Sequence, residues 1–202
     1  MNKFLFITFL FILSSVSIYA QTPKQADPIT EKQWKELLVA LTKENWDTGF
    51  DLSAKYLKLV KEEDDAQRVA RLRYMYLYSA AGKVYEDKMD YDKLERLVKD
   101  LVGKEIAFPY RAIKLDCNGE FNFICWSADE AKNKTMVSAS NKKGTSIFAF
   151  EYVELKDKFD FAKNAGRKAE LGGKIKAIEP NPNRSKIVIL RIYVSEGRIN
   201  LL

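Results

Sequence analysis

The chain contains no histidine. That absence removes the commonest general base, the usual activator of a serine or cysteine nucleophile, and the commonest metal ligand. Cysteine is almost as scarce: Cys117 and Cys125 are the only two, too few for a zinc centre of the Cys/His kind. Glu151 and Glu154 are carboxylates without the spacing of an acid–base pair, so an enzyme is disfavoured, and no cofactor or metal site is expected. Beyond the first twenty residues there is no apolar run of the roughly 20 residues that a membrane-crossing helix needs.

Those first residues are the exception. Lys3 gives a positive start, Phe4 to Ile18 is apolar but for Thr8 and small serines, and Tyr19-Ala20 leads into polar Gln21-Thr22-Pro23-Lys24. This is the pattern of a secretory signal peptide cleaved after Ala20, with an apolar stretch too short to span a bilayer. With no cysteine at the cleavage point, a lipid anchor there is excluded. The expected location is secreted or periplasmic, with no integral span once the signal is removed. Residues 21–30, with Pro23 and Pro28, read as a flexible leader.

The remaining chain is rich in aromatics, with 12 Phe, 10 Tyr and 3 Trp, and is too apolar to be disordered. Its charge is uneven. Residues 31–105 hold 15 basic and 16 acidic side chains, net −1, whereas residues 106–202 hold 17 and 11, net +6. The second half therefore carries the field that would attract an anionic partner, against the plainer reading of a lysine-coated surface.

Residues 31–102 follow a helical period. Thr30 and Gln33 have capping-box spacing, followed by Trp34, Leu37, Leu38 and Leu41 on one stripe. A second helix is expected from about Asp47 to Lys61, burying Phe50, Ala54, Leu57 and Val60. A third, Ala66–Tyr85, carries Val69, Leu72, Tyr76 and Ala80 inward, with Tyr74 and Tyr78 extending its apolar side. A fourth opens at Asp92 and stops at Gly103. The spacing of Trp34, Leu37 and Leu41, and the segment Tyr78-Ser79-Ala80-Ala81-Gly82-Lys83-Val84-Tyr85-Glu86, resemble tetratricopeptide hairpins, although the alanine and proline positions of the second helices are not met. That resemblance implies a docking surface, with Tyr74 and Tyr78 as protein contacts.

Residues 103–202 change to a strand period. Strands are expected at Ile106–Leu115, Phe121–Trp126, Ile147–Leu155, Leu171–Ile178 and Lys186–Val194, with a short helix at Lys158–Ala165. The fold class is α+β: antiparallel helical hairpins packed with a small antiparallel barrel or sheet. The element order resembles an OB-fold, a five-stranded barrel often used to hold oligonucleotides or oligosaccharides.

Asn118-Gly119 is a tight-hairpin signal between the first two strands. In such a hairpin Cys117 and Cys125 lie five residues out of register, beyond the roughly 7 Å reach of a disulfide. A bridge requires a wide loop instead. Both states stay open, and the geometry favours two buried thiols. Phe148, Phe150 and Tyr152, with Trp126, form one strand face that would stack on rings of a ligand, Lys174 and Lys176 supplying charge. The competing reading makes those rings the barrel core. Glu62 to Asp65 and the trio Asp87, Asp90 and Asp92 fit helix capping better than calcium binding. Asn133-Lys134-Thr135 and Asn183-Arg184-Ser185 match glycosylation sequons.

Two functions follow as expectations. The first is an exported, non-catalytic docking protein of the cell envelope whose partner is another envelope or secreted protein. The second is a binder of an anionic oligosaccharide or polymer through the lysine-flanked β face. Nucleic acid is disfavoured by export.

Overall fold

Thr30 opens the first helix as its spacing predicts. Its hydroxyl accepts the Gln33 amide while the Gln33 side chain accepts the Thr30 amide at 2.9 Å, so two free donors of the first turn are satisfied together. The computed structural model describes residues 28–61, 66–117, 123–126 and 133–202. The signal-like segment, the leader up to residue 27, the acidic run 62–65 and the Asn118-Gly119 turn lie outside the described residues. So does the side chain of Trp126.

Four helices come first: α1 Glu31–Thr42, α2 Trp46–Leu57, α3 Ala66–Tyr85 and α4 Tyr91–Val98, the last continuing into a short 3-10 turn at Lys99–Leu101. Asn45 and Asp90 cap α2 and α4. The inner face of α2 is Trp46, Gly49, Ser53 and Tyr56, while Phe50, Ala54, Leu57 and Val60 are only partly buried at its flank. Helix α3 has the expected limits but is buried around most of its circumference, Val69 through Val84, because α2 covers one side and the β region the other. Among the described residues no helix is long and apolar enough to cross a membrane.

Six strands form a closed barrel: β1 Glu105–Lys114, β2 Ile124–Trp126, β3 Lys134–Ser140, β4 Ser146–Leu155, β5 Lys168–Pro180 and β6 Leu190–Leu201, in the order β1-β2-β3-β4-β6-β5. An α+β chain with a barrel is thus correct. Three details depart from the sequence reading. Strand β3 was not expected, since Lys134-Thr-Met-Val-Ser-Ala-Ser has little β-branched or aromatic content. The segment 158–165 is not a helix: residues 158–160 are irregular and 161–166 are turns ending at Gly166. And two neighbouring pairs run parallel where an antiparallel barrel was expected: β4 with β6, and β1 with β2, Ile113 opposite Ile124 and Lys114 opposite Cys125.

That parallel register overturns the tight hairpin and, with it, the preference for free thiols. Cys117 and Cys125 stand at a Cα separation of 5.9 Å and are joined by a disulfide. The bond closes a sequence separation of 8 residues and ties the end of β1 to a three-residue strand. The chain-entropy account gives about 2.5 kcal/mol for a loop of that size. The double variant Cys117→Ser/Cys125→Ser is expected to lose that amount in urea unfolding; an unchanged midpoint would show that the bond adds nothing.

Among the described residues, strand β2 is the only link between β1 and β3, pairing two residues with each. Along the rest of their length, β1 from Glu105 to Ala112 pairs only with β5, and β3 from Val137 to Ser140 pairs only with β4. Helix α3 lies over this seam. Tyr78 Oη donates to the Ser140 carbonyl at 3.0 Å and Arg73 Nη1 to the Glu105 carbonyl at 2.9 Å, so helix side chains donate to strand carbonyls along the seam. Tyr74 reaches through to Phe108 and Phe148, with ring centroids 4.9 and 5.5 Å away. One continuous core therefore joins helices and barrel.

A second tie is ionic. Glu170 on β5 is 1% exposed; it accepts Arg71 Nε at 2.7 Å, the adjoining Arg71 amino group, and Gln67 Nε2 at 2.9 Å. At the other end of the helical layer, Asp92 pairs with Arg184 at 2.6 Å, Asp87 with Lys186 at 2.5 Å, and Tyr91 Oη donates to the Ser185 carbonyl at 2.5 Å. Glu44 likewise accepts the Lys142 amide of the β3–β4 turn. The helices thus occupy both loops at that end of the barrel.

Candidate functional site

Phe148, Phe150 and Tyr152 are spaced by two and by simple alternation would share one face. They do not. Phe148 and Phe150 are fully buried in the barrel interior with Phe108, whereas Tyr152 is 48% exposed. The cause is a β-bulge. Between Phe150 and Val153 strand β4 has one residue more than β3, which pairs Val137 with Phe150 and Thr135 with Val153. It also has one more than β6, which pairs Ile192 with Phe150 and Tyr193 with Tyr152. An extra residue reverses the alternation beyond it, so Tyr152 turns outward while Val153 returns to the core.

A second bulge does the same on β5. Ile175 and Ala177 face consecutive residues Val194 and Tyr193, which leaves Lys176 as the extra residue. Both bulges flank Tyr193, and together they define the outer face of β3, β4, β6 and β5. The Tyr152 and Tyr193 rings stack there with centroids 6.2 Å apart and planes inclined by 20°. Lys134 Nζ stands 5.3 Å from the Tyr152 ring centroid. These side chains, with Glu154, Lys176, Ala177, Glu179 and Val194, line an open groove of about 360 Å³.

The registers order the outer face of these strands into rows, and the groove occupies the part around Tyr152, Tyr193 and Ala177. Across the strands, Met136 lies opposite the bulge that carries Tyr152, then come Tyr193 and Ala177. This central row is apolar and aromatic, and Met136 is 39% exposed. On one side lie Lys134, opposite Glu154, and Ser195, opposite Lys174. On the other lie Ser138, opposite Ala149, then Arg191, which faces both Ala149 and Glu179. Partial burial pushes the Tyr193 hydroxyl above its ordinary range, and the carboxylates of Glu151 and Glu179 add to this. Tyr193 is therefore a neutral phenol at physiological pH. Glu151 is engaged with Arg191 at 3.4 Å.

The sequence-predicted residues are thus divided. Tyr152 and Lys176 meet in the groove. Lys174 lies beyond it, paired with Glu196 at 3.6 Å. Phe148 and Phe150 are core, a correction to the ligand-facing reading. The docking contacts are corrected as well: Tyr74 is 4% exposed and Tyr78 is half-buried, stacked on each other at 5.7 Å inside the α3–barrel seam. Burial raises the Tyr74 hydroxyl, and pushes that of Tyr78 to about 12. Asn133, one of the sequon residues, is committed to structure, its amide donating to Leu155 and Asp157 carbonyls.

Tyr193, Lys134 and Glu179 were missed, and Glu154 was weighed only as a catalytic carboxylate. Tyr193 had a signal: it alternates with Ile192 and Val194 in a strand whose inward residues are aliphatic. Lys134 had none, since β3 itself was not foreseen. Among the described residues no cluster of acidic and cysteine side chains is arranged to hold a metal ion. Compared with known proteins, the chain matches no family model, no curated protein and no solved structure.

Proposed function

We propose that this chain is an exported, non-catalytic binding protein whose ligand is an oligosaccharide laid in the outer groove of the barrel. The observation that carries this reading is the stacked pair Tyr152 and Tyr193, turned to solvent by two bulges in a barrel whose phenylalanines Phe108, Phe148 and Phe150 are buried. Aromatic faces hold sugar rings through their apolar C–H surfaces, while carboxylates and ammonium groups at the rim fix the hydroxyls. Glu154 and Lys176 stand at that rim.

Two further features favour the reading. Setting aside the short β2, the strand order β1-β3-β4-β6-β5 with β4 and β6 parallel resembles that of an OB-like barrel, which supports the reading. Such barrels bind ligands across the face of their second and third strands, here β3 and β4. The apolar segment Met1–Ala20 and the disulfide both suit an oxidising, extracytoplasmic location, where saccharide polymers are the abundant ligands. Protein docking through the helices has less support, because Tyr74 and Tyr78 lie in the seam.

The test is calorimetric titration of the protein with a panel of oligosaccharides, repeated on Tyr152→Ala. Removing one stacking ring is expected to weaken binding by about tenfold or more with the melting temperature little changed, as befits a half-exposed side chain. A wild-type protein that binds no saccharide in the panel, or a Tyr152→Ala variant that binds as well, overturns the proposal.

A further inference from the structure

Within the groove the charged groups are not equivalent. Lys174, just outside, is taken up by Glu196. Lys134 and Lys176 have no carboxylate within ion-pair distance among the described residues, although both line the groove. They stand at its two edges, on β3 and β5, with β4 and β6 between. Three strand spacings put those edges about 14 Å apart. Lys134 has a further peculiarity. Its ammonium is parked at 5.3 Å over the Tyr152 ring, the very ring on which a ligand would stack.

We infer that the ligand is an acidic saccharide, a chain of uronate-type sugars whose carboxylates pair with Lys134 and Lys176; this rests on the saccharide reading above. The ammonium of Lys134 needs only to slide from the ring face to its edge to meet a carboxylate on a sugar stacked over Tyr152. Stacking and ion pairing then come from one position, and the desolvated ring strengthens the pair. Lys176, thrown outward by its bulge, meets a second carboxylate further along the chain. Glu154, opposite Lys134, accepts sugar hydroxyls. The net charge of +6 on residues 106–202 adds long-range attraction for a polyanion.

The experiment compares three probes of equal length: tetragalacturonate, which is acidic, cellotetraose, which is neutral, and tetraglucosamine, which is cationic. Each is titrated calorimetrically into wild type, Lys134→Gln and Tyr152→Ala, at low and high salt. The acidic probe is expected to bind about fivefold more tightly than the neutral one at low salt, the upper end for one exposed ion pair, and to lose that margin at high salt. Lys134→Gln is expected to narrow the gap between acidic and neutral probes, and Tyr152→Ala to weaken both. Equal binding of acidic and neutral probes, or preference for the cationic one, overturns the acidic assignment while leaving the saccharide groove standing. Failure of all three probes overturns both.

Discussion

Arg71→Ala is expected to be the most damaging single polar substitution in the chain, lowering stability by about 3 kcal/mol. The reason is what remains. Glu170 is 1% exposed on β5, and it faces Arg71 and Gln67 of α3. Removal of the guanidinium leaves a buried carboxylate whose remaining partner among the described residues is the amide of Gln67 at 2.9 Å. Uncompensated buried charges are the costly outcome of breaking such pairs, typically about 3–5 kcal/mol, and the lower end applies because the Arg71 side chain is itself 33% exposed. The Arg71 guanidinium also lies 5.6 Å over the Tyr110 ring, and the alanine variant gives up that cation–π attraction too. The reverse substitution, Glu170→Gln, is expected to cost less, since the arginine left behind can turn to solvent and the new amide still accepts. Thermal unfolding checks both. For a chain of this size about 3 kcal/mol corresponds to a fall of roughly 6–12 °C in Tm. Equal losses from the two variants would show that the pair acts through packing and not through the stranded charge.

That clip matters to the proposed site because it holds the helical layer on the barrel. α3 supplies donors to the Ser140 and Glu105 carbonyls along the seam, and its far end is fastened to the β5–β6 loop by Asp87, Tyr91 and Asp92. The loops at that end are therefore spent on the helices. The open surface is the outer face of β3, β4, β6 and β5, where the groove lies.

Local signals in the chain carried the helices well. The Thr30–Gln33 box and the limits of α3 were legible because capping and a 3.6-residue period act within a few residues of sequence. The side on which Tyr74 and Tyr78 end was not legible. A helical wheel shows an apolar flank, and only the barrel packed against it tells whether that flank is surface or seam. The site was half legible for a similar reason. Alternation marked Phe148, Phe150 and Tyr152 as one face, but the bulge that divides them comes from pairing with β3 and β6, whose registers no window of β4 contains. Lys134 was hidden in a strand of small polar residues that is stabilised by its neighbours rather than by its own propensity. The hairpin read from Asn118-Gly119 misled in the opposite direction: β1 and β2 pair in a parallel register that brings two cysteines together.

Gly82→Ala presents a contest of two opposing effects, and the packing effect is expected to win. In the interior of a helix alanine is favoured over glycine by about 1 kcal/mol, so at an open position the change would stabilise. Gly82 sits where α3 meets Trp46 at the start of α2. A methyl group there would lie 2.1 Å from Trp46 Cδ2 and 2.4 Å from Cε3, far inside van der Waals contact. The indole has no room to yield. It is 1% exposed and abuts the Tyr78 ring edge-on, with centroids 5.1 Å apart, and Tyr78 is anchored through its hydroxyl to Ser140. Overpacking in a filled core costs about 1–3 kcal/mol or more, and here the clash is with rigid ring atoms, so the upper end applies. The net expectation is a loss of about 2 kcal/mol, read as a lower midpoint in urea unfolding with an unchanged slope. Trp46→Phe placed in the Gly82→Ala background replaces the two-ring indole by a smaller ring that can tilt away from the new methyl group and is expected to recover part of that loss, although the same substitution in the wild type destabilises by leaving a cavity. A Gly82→Ala protein as stable as the wild type, or losses that simply add in the double variant, would show that α2 can move away from α3, and that the helical layer is not the fixed support on which the seam and the barrel depend.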